Sequence, residues 1–202
     1  SFNFSTMKRI FSIIVNFLLP GFVLFILSPS ATFAQVTFRR PIDNLRNPPV
    51  ASYYDNNGSA AGAVDYRCSA QTYNNHQGTD FLPTYFAEHV LSAARGGVYS
   101  IYDLCPTWGY WGSSCGGRFG NHVRMDHDGN LLDGVGTVTI YAHMLYNMAG
   151  SWVNRQIVPC GYFIGSAGSS GSSSGLHTHF EVRRRGHPRD DPYAGRCNAR
   201  GI

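Results

Sequence analysis

Short runs of apolar, β-branched and aromatic residues recur from about Val50 onward, separated by clusters of Gly, Ser, Asn and Asp. Such runs, bounded by turn-forming residues, are typical of β-strands. Four runs are predicted as strands, namely Val98–Asp103, His122–His127, Thr137–Met144 and His177–Arg183. The pattern therefore predicts an all-β fold with little helix, and 202 residues are enough for a single compact domain with a real core.

Two segments do not fit the strand pattern clearly. In Phe86–Gly96 the residue propensities favour a helix. The segment Gly165–Gly175 is a low-complexity stretch dominated by Gly and Ser, which is typical of a flexible linker. Only 27 residues follow it, so a linker to a second domain makes little sense. We therefore expect a loop that borders a cleft.

The N-terminal segment has the features of a secretory signal peptide. A Lys-Arg pair precedes the apolar run Ile10–Leu27, and small residues follow that run. Cleavage is expected after Ala34. The alternative is a membrane anchor, because the run is nearly long enough to span a bilayer, but the helix breakers within it favour the signal. Residues 1–6 precede the first methionine and are interpreted as a translation artefact. We expect a secreted or periplasmic protein with no stable membrane anchor after cleavage.

Charge and cysteine content narrow the class of protein. The formal net charge is +4, and removal of the two cations of the signal segment leaves +4 − 2 = +2, which is too mild to indicate nucleic-acid binding. Five cysteines in an exported protein indicate disulfides with one cysteine left over. Cys105 and Cys115 bracket a turn-rich loop and are the best candidate pair. The partners of Cys68, Cys160 and Cys197 cannot be assigned from the sequence.

Alternate residues of a strand share a face, so two of the predicted strands have a polar face that carries histidine. In the last strand this face consists of His177, His179, Glu181 and Arg183, opposite Thr178, Phe180 and Val182. In the preceding strand it consists of Thr139, Tyr141 and His143, opposite the apolar Val138, Ile140 and Ala142. Two such faces are expected to line one groove.

Histidine and aspartate spaced to bind a metal complete this set. His76 and Asp80 are four residues apart, and with one of His177 and His179 they form a His–Asp–His set. A catalytic zinc commonly takes three such ligands and keeps a fourth position for water. If one histidine of the pair does not bind, it lies nearby and can handle a proton. Taken singly, each motif is weak, and His143 alone is more often a structural strand residue.

Five segments carry a resemblance to a known family, and they are HQGTDF, FGNHVRMDH, VTIYAHM, IGSAGSSGSSSGLHTHFEVR and DPYAG. Their order and spacing over roughly Asp65–Gly195 resemble those of the lysostaphin-like zinc endopeptidases, which cut peptides in bacterial cell walls. The resemblance departs from the family pattern at Leu176 and Thr178, where the family usually has Pro and Leu. Neither position is a ligand position, so altered cleft walls are expected and not lost chemistry.

The resemblance implies a role for each site residue. The H-x-x-x-D pair and the second His of H-x-H hold zinc in that family, which implies His76, Asp80 and His179 as ligands of one Zn²⁺. The remaining histidines, His143 and His177, are implied to be catalytic. One of them takes the proton of the zinc-activated water and the other supports the oxyanion. We assign the base role to His177, although the sequence does not fix which histidine does which.

The resemblance also implies the architecture and the substrate. It implies a mainly antiparallel sheet with an open groove, and a strand in place of the helix at Glu88–Ser100, with the glycines at a hairpin. The expected divisions are a signal peptide (1–34), an N-terminal arm (35–64) and a zinc peptidase domain (65–202). The expected protein is a monomer that cuts peptidoglycan peptides at small residues, because Phe81, Tyr141 and the Gly- and Ser-rich loop are expected to crowd the cleft.

Three rival interpretations stay open at this stage. The first is a catalytically inactive module that binds the wall or activates a partner, although all five site residues are present. The second is a metal scavenger, because H-x-H also suits copper. The third is a general secreted metalloprotease. The cysteines are expected to form disulfides, so a catalytic thiolate is not expected.

Overall fold

The computed structural model describes residues 36–43, 47–58, 62–127, 136–147, 156–184 and 187–198, with the side chains of 187–189 left out. The predicted signal peptide and its cleavage site lie outside these ranges. The described strands are β1 Val50–Ser52, β2 Thr79–Phe81, β3 His89–Leu91, β4 Gly96–Tyr102, β5 Asn121–Asp126, β6 Val138–Met144, β7 Ile157–Val158, β8 Phe163–Ser166, β9 Thr178–Arg184 and β10 His187–Asp190. The one helical element in these ranges is a 3-10 turn at Cys115–Arg118.

The strands form two antiparallel sheets, which confirms the predicted all-β class. The large sheet has the order β1-β2-β9-β6-β5-β4-β7, and β10 also pairs with β9. The small sheet consists of β3 and β8. Because β9 lies between β2 and β6, the three segments that carry the predicted site residues are neighbours in one sheet. Within the described ranges, no helix has the length and hydropathy needed to cross a membrane.

The sequence pattern predicts the wrong side of β6 to face the core. Tyr141 pairs with Phe180 of β9, and both rings belong to the buried core. Ala142 instead pairs with His179. Every residue of β6 is buried, so both faces are covered and apolar residues occur on each. Alternation therefore carries no information about which face is the core, whereas on β9 Phe180 and Val182 do lie in the core as predicted.

The segment at 88–100 forms strands and not a helix, but the predicted hairpin is wrong. β3 pairs with β8 in the small sheet, whereas β4 pairs with β5 and β7 in the large one. Between β3 and β4 the buried Ala93 amide donates to the Tyr141 hydroxyl (2.8 Å), and the Ala93 carbonyl accepts from Arg39. These long-range bonds hold the connection in place where the chain passes from the small sheet to the large one, and no tight hairpin turn forms.

Residues 35–64 were expected to form an N-terminal arm. The described part of this segment packs on the sheets, and residues 35–202 make up one compact unit. Ile42 is buried and bridges to Val90, and β1 pairs with β2. The Cys105–Cys115 disulfide is present as predicted, and a second one joins Cys68 to Cys197. Cys160 is the exposed cysteine that remains unpaired.

Candidate metal centre

Strands β2 and β9 bring the predicted ligands together. Asp80 and His179 are direct partners across the two strands, so their side chains lie side by side on one face. The Asp80 Oδ1 atom is 2.8 Å from His179 Nδ1 and 3.1 Å from His76 Nε2, and the two ring nitrogens are 3.3 Å apart. All three residues are buried. Among the described residues, these three form a group whose ligand atoms lie within 4.8 Å of one another.

These three residues fit a tetrahedral zinc site in composition and spacing. Two imidazoles and a carboxylate are a common ligand set for zinc, and bonds of 2.0–2.1 Å at tetrahedral angles separate the ligand atoms by about 3.3 Å. The observed separations of 2.8, 3.1 and 3.3 Å are close to that value. His76, Asp80 and His179 could therefore hold one metal ion with little rearrangement.

Two outer hydrogen bonds hold the imidazoles in the orientation that metal binding needs. His76 Nδ1 donates to the Tyr53 carbonyl (2.6 Å), and His179 Nε2 donates to Glu181 Oε1 (3.1 Å). Each bond fixes the ring and turns the other nitrogen toward Asp80, which is the usual arrangement around a bound metal. The position of Glu181 two residues after His179 is visible in the sequence, whereas Tyr53 gives no sequence signal.

The electrostatics favour an ionised carboxylate at the centre. Burial alone raises the pKa of Asp80, but hydrogen bonds from His179 and His76 outweigh it and hold that pKa well below its usual range. Burial lowers the pKa of His179, but its bonds to Asp80 and Glu181 raise the net value to about 10. A cation is therefore stabilised between these groups, and a bound metal ion would take the place of that proton.

His143 reaches the same face through an irregularity in β6. Val123 pairs with Tyr141 but Asn121 pairs with Met144, so β6 has one extra residue here. His143 adopts a left-handed backbone conformation with φ of 60°, as residues in bulges sometimes do. The extra residue breaks the alternation and places the His143 ring 5.7 Å from the His179 ring and 4.7 Å from the His177 ring, centroid to centroid.

His143 and His177 both present an unprotonated Nε2. His143 Nδ1 lies 2.7 Å from the Ser170 carbonyl, and His177 Nδ1 lies 2.9 Å from the Gly175 carbonyl. A carbonyl can only accept, so each Nδ1 carries the proton and each Nε2 has a lone pair. Burial lowers the pKa of His143 to about 3 and also lowers that of His177. Both rings are therefore neutral proton acceptors, and His177 Nε2 is 3.7 Å from Asp80 Oδ1.

An open groove passes over the centre. It consists of two cavities of about 520 and 470 Å³ that share Tyr73, Trp111, His143 and Ser172. The first extends over Leu82 and residues 173–177, and the second over Asn74–Gln77, Arg118, Phe119 and Arg183. The predicted open groove is therefore present. The prediction that Phe81 and Tyr141 line the groove is wrong, because both side chains are buried in the core.

The Gly- and Ser-rich segment, called here the Ser/Gly loop (165–175), is a groove wall and not a linker. Ser172, Ser173 and Ser174 line the first cavity. Ser170 is fully buried, and its hydroxyl donates to the Met144 carbonyl (2.7 Å). Its own carbonyl holds His143. The loop therefore positions a site residue, a role that composition alone does not reveal.

His122 in β5 and His127, directly after β5, lie outside the metal centre and have structural partners. His127 bonds to the Arg95 carbonyl and to the Thr139 hydroxyl. His122 stacks on Tyr102, and its Nδ1 bonds to the Gly120 carbonyl (2.8 Å). Burial, aided by the charges of two arginines, Arg124 and Arg183, lowers the pKa of His122 to about 4.

Comparison with known proteins gives one family and several related folds. The model of peptidase family M23 matches residues 74–191, more than half of the chain. A zinc-containing peptidase from Vibrio cholerae aligns with a TM-score of 0.53 at 22% identity, over 77% of this chain and 39% of that one. The chain therefore spans about two fifths of that protein.

Two further solved structures have a similar fold. A variant of the catalytic domain of the prophage-encoded M23 protein EnpA from Enterococcus faecalis aligns with a TM-score of 0.50 at 21% identity, over 76% of this chain and 94% of that one. The SpoIIQ–SpoIIIAH pore-forming complex aligns with a TM-score of 0.53 at 20% identity, over 77% and 88%. The fold thus occurs in proteins with different roles, so function must be argued from the site.

Proposed function

The chain belongs to peptidase family M23, as its sequence motifs predicted, and from this we propose that it is a secreted zinc metalloendopeptidase that hydrolyses peptide cross-links of peptidoglycan. Membership of a peptidase family implies hydrolysis of peptide bonds. The zinc ion, the peptidoglycan substrate and secretion are the parts we propose.

One observation supports the proposal most strongly. The His76–Asp80–His179 cluster lies in an open groove together with two neutral imidazoles, His143 and His177, that make no ligand contact of their own. A metal scavenger needs ligands but has no use for two oriented proton acceptors beside them. An inactive binding module would need neither. The combination is that of a hydrolytic centre.

The proposed mechanism assigns the proton transfers to the two free imidazoles. A zinc ion bound at the cluster would supply Lewis acidity and lower the pKa of a bound water. His177, with its Nδ1 proton held by the Gly175 carbonyl, accepts the proton of the attacking water at Nε2 and returns it to the leaving amine. We assign support of the oxyanion to His143, whose Nδ1 is bonded to the Ser170 carbonyl. Its neutral ring takes up the second proton of the attacking water at Nε2, donates it to the oxyanion and releases it to the leaving amine.

The groove walls favour an extended peptide with small residues at the cut bond. Tyr73 and Trp111 line both halves of the groove, and Ser173 and Ser174 of the Ser/Gly loop line the first half. An extended chain needs only a narrow channel, whereas a bulky side chain must displace these walls. Overpacking of this kind costs about 1–3 kcal/mol, or roughly fivefold to 150-fold in rate.

Export is supported by the signal-like N-terminal sequence and by the two disulfides. Structural disulfides persist in oxidising compartments and are rare in the cytosol. Sequencing the N-terminus of the protein recovered outside the cytoplasm tests this part. We expect the mature chain to begin at Gln35, and an intact N-terminal segment would contradict the assignment.

A substrate panel tests the proposed activity. Purified peptidoglycan, a pentaglycine peptide and a folded globular protein are each incubated with the enzyme, with and without a chelator, and products are identified by mass spectrometry. We expect chelator-sensitive release of wall peptides cut next to Gly or Ala. His89→Ala is the matched control, because His89 is exposed and outside the groove. Efficient cleavage at large apolar residues of ordinary proteins, with walls untouched, would identify a general metalloprotease instead.

A further inference from the structure

Three aromatic side chains stand exposed on the loop closed by the Cys105–Cys115 disulfide, called here the aromatic loop (105–115). Trp108 is 60% exposed, Tyr110 71% and Trp111 65%. Single exposed apolar residues are common, but three large aromatic rings within four positions form a patch of the kind that marks an interaction site.

The aromatic loop is held rigidly against the Ser/Gly loop. Gly109 N donates to the Ser169 carbonyl (2.7 Å), and Tyr110 N donates to the Gly171 carbonyl (3.1 Å). Gly109 is required for this approach, because a Cβ there would lie 1.9 Å from the Gly171 carbonyl oxygen. The disulfide closes the loop at its base. The backbone that carries the rings is therefore held in place, so binding has to order the side chains but not the loop.

The patch is continuous with the groove. Trp111 lines both cavities and packs edge to face on Tyr73 at 6.2 Å. Tyr73 in turn stacks on His76 at 4.3 Å. Trp108 lines neither cavity and stacks on Phe86 at 6.0 Å with an interplanar angle of 17°. Tyr73 and Trp111 therefore connect the metal centre to the aromatic loop.

The chemistry of the patch suits sugar rings. A pyranose has an apolar C–H face that packs on an aromatic ring and hydroxyl groups at its edge that need hydrogen-bond partners. Trp108 and Trp111 supply flat faces with indole N–H groups at their edges, and the neighbouring Ser172 and Ser174 supply hydroxyls beside the groove. The sequence from Pro106 to Ser114 contains no charged residue, so it offers nothing to attract a charged peptide or an anionic lipid headgroup.

We propose that the aromatic loop binds sugar rings of the glycan strand that carries the cross-linking peptide, with Trp111 next to the groove and Trp108 farther along the strand. The proposal rests on the proposed function for the source of the glycan, because glycan and peptide are joined in peptidoglycan. Three residues span at most about 10 Å, so the two indoles are close enough to contact the same glycan strand. Glycan binding would thereby align the attached peptide with the metal centre.

Binding to glycan without peptide tests the proposal apart from catalysis. The zinc-loaded mature protein is titrated with peptide-free glycan strands and with a soluble N-acetylglucosamine oligosaccharide, and binding is followed by sedimentation and by tryptophan fluorescence. We expect saturable binding, and a loss of about tenfold in affinity for Trp108→Ala and for Trp111→Ala, as for one stacked ring. Trp108→Phe should restore most of it. Tyr162→Ala, an exposed aromatic outside the loop, should bind like the wild type.

Catalysis gives a second readout that separates the two proposals. Trp108 lines neither cavity, so Trp108→Ala should cut a short sugar-free peptide at the wild-type rate and whole peptidoglycan more slowly. His177→Ala should bind glycan normally although it has lost activity. Glycan binding by a wild-type protein that cuts no peptide would refute the proposed function alone. Absence of glycan binding by an active peptidase would overturn the glycan proposal. Binding to lipid vesicles that is lost in Trp108→Ala, without glycan binding, would identify a membrane contact instead.

Discussion

Replacing Gly78 with alanine is expected to weaken zinc binding although Gly78 is not a ligand. Gly78 lies between His76 and Asp80, where the chain runs close to β9. A Cβ at this position would lie 2.5 Å from the Phe180 carbonyl oxygen, and 2.8 and 2.9 Å from the Cε1 and Nε2 atoms of His179. All three distances are shorter than real Cβ contacts, so the His179 ring or β2 must move.

The expected loss of affinity follows from where the strain is relieved. Without metal, the His179 ring can turn away from the added methyl group, but a bound metal ion requires the ring to return. Overpacking a well-packed site costs about 1–3 kcal/mol. If that cost falls on the metal-bound state, zinc affinity drops roughly fivefold to 150-fold. The methyl group also disturbs the bond from His179 Nε2 to Glu181, and the loss of such an orienting bond typically costs tenfold to 100-fold.

Competition with a chromophoric chelator measures the affinity directly. Gly175→Ala is the matched control, because the same methyl group would meet no atom within 4 Å there. We expect Gly175→Ala to bind zinc like the wild type and Gly78→Ala to bind it at least fivefold more weakly. Circular dichroism of the metal-free proteins shows whether both variants fold. A folded Gly78→Ala variant with wild-type zinc affinity would refute the assignment of His179 as a ligand packed on this glycine.

Three further predictions concern catalysis and stability. His143→Ala should keep one zinc and lose most turnover, as measured by metal analysis and peptide cleavage; a fully active variant would remove His143 from the mechanism. Loss of the Cys68–Cys197 disulfide, which joins residues 129 positions apart, should lower the free energy of unfolding by about 5 kcal/mol. Loss of the Cys105–Cys115 disulfide, with a separation of 10, should lower it by about 3 kcal/mol. Urea unfolding that ranks the two losses the other way would contradict this. The pKa of His122 is about 4 in the folded state and about 6.5 in the unfolded chain. Because the unfolded chain binds the proton at a higher pH, the free energy of unfolding should fall by on the order of 3 kcal/mol as the pH drops from 6.5 to 4. Urea unfolding of His122→Phe should show a smaller drop, and an identical drop would contradict this.

The sequence predicts the fold class and the grouping of the site residues because both depend on local patterns. Strand-forming runs separated by turn residues are readable one segment at a time. The set of His76, Asp80, His143, His177 and His179 was also predictable, because a shared metal and proton chemistry makes the joint pattern specific. The structure brings all five into one groove.

Features that depend on distant contacts were not predictable. The sides of β6 could not be read from the sequence, because both faces of that strand are covered. His143 reaches the groove only through a bulge with φ of 60°, and nothing in its neighbouring residues signals that bulge. The separation of β3 and β4 into two sheets depends on the bond from the Ala93 amide to the Tyr141 hydroxyl and the bond from the Arg39 amide to the Ala93 carbonyl. The close packing on Gly78 becomes visible only once β2 and β9 are paired.

The central claim is that three residues hold one zinc while two neighbouring histidines carry out the proton transfers. It is tested most directly by titrating metal-free enzyme with zinc while the cleavage of peptidoglycan cross-links is followed in the same sample. We predict that wild-type activity rises to a plateau at one equivalent, and that His177→Ala binds one equivalent with little turnover. His179→Ala should bind zinc far more weakly. Full metal content and full activity in both variants would contradict the account.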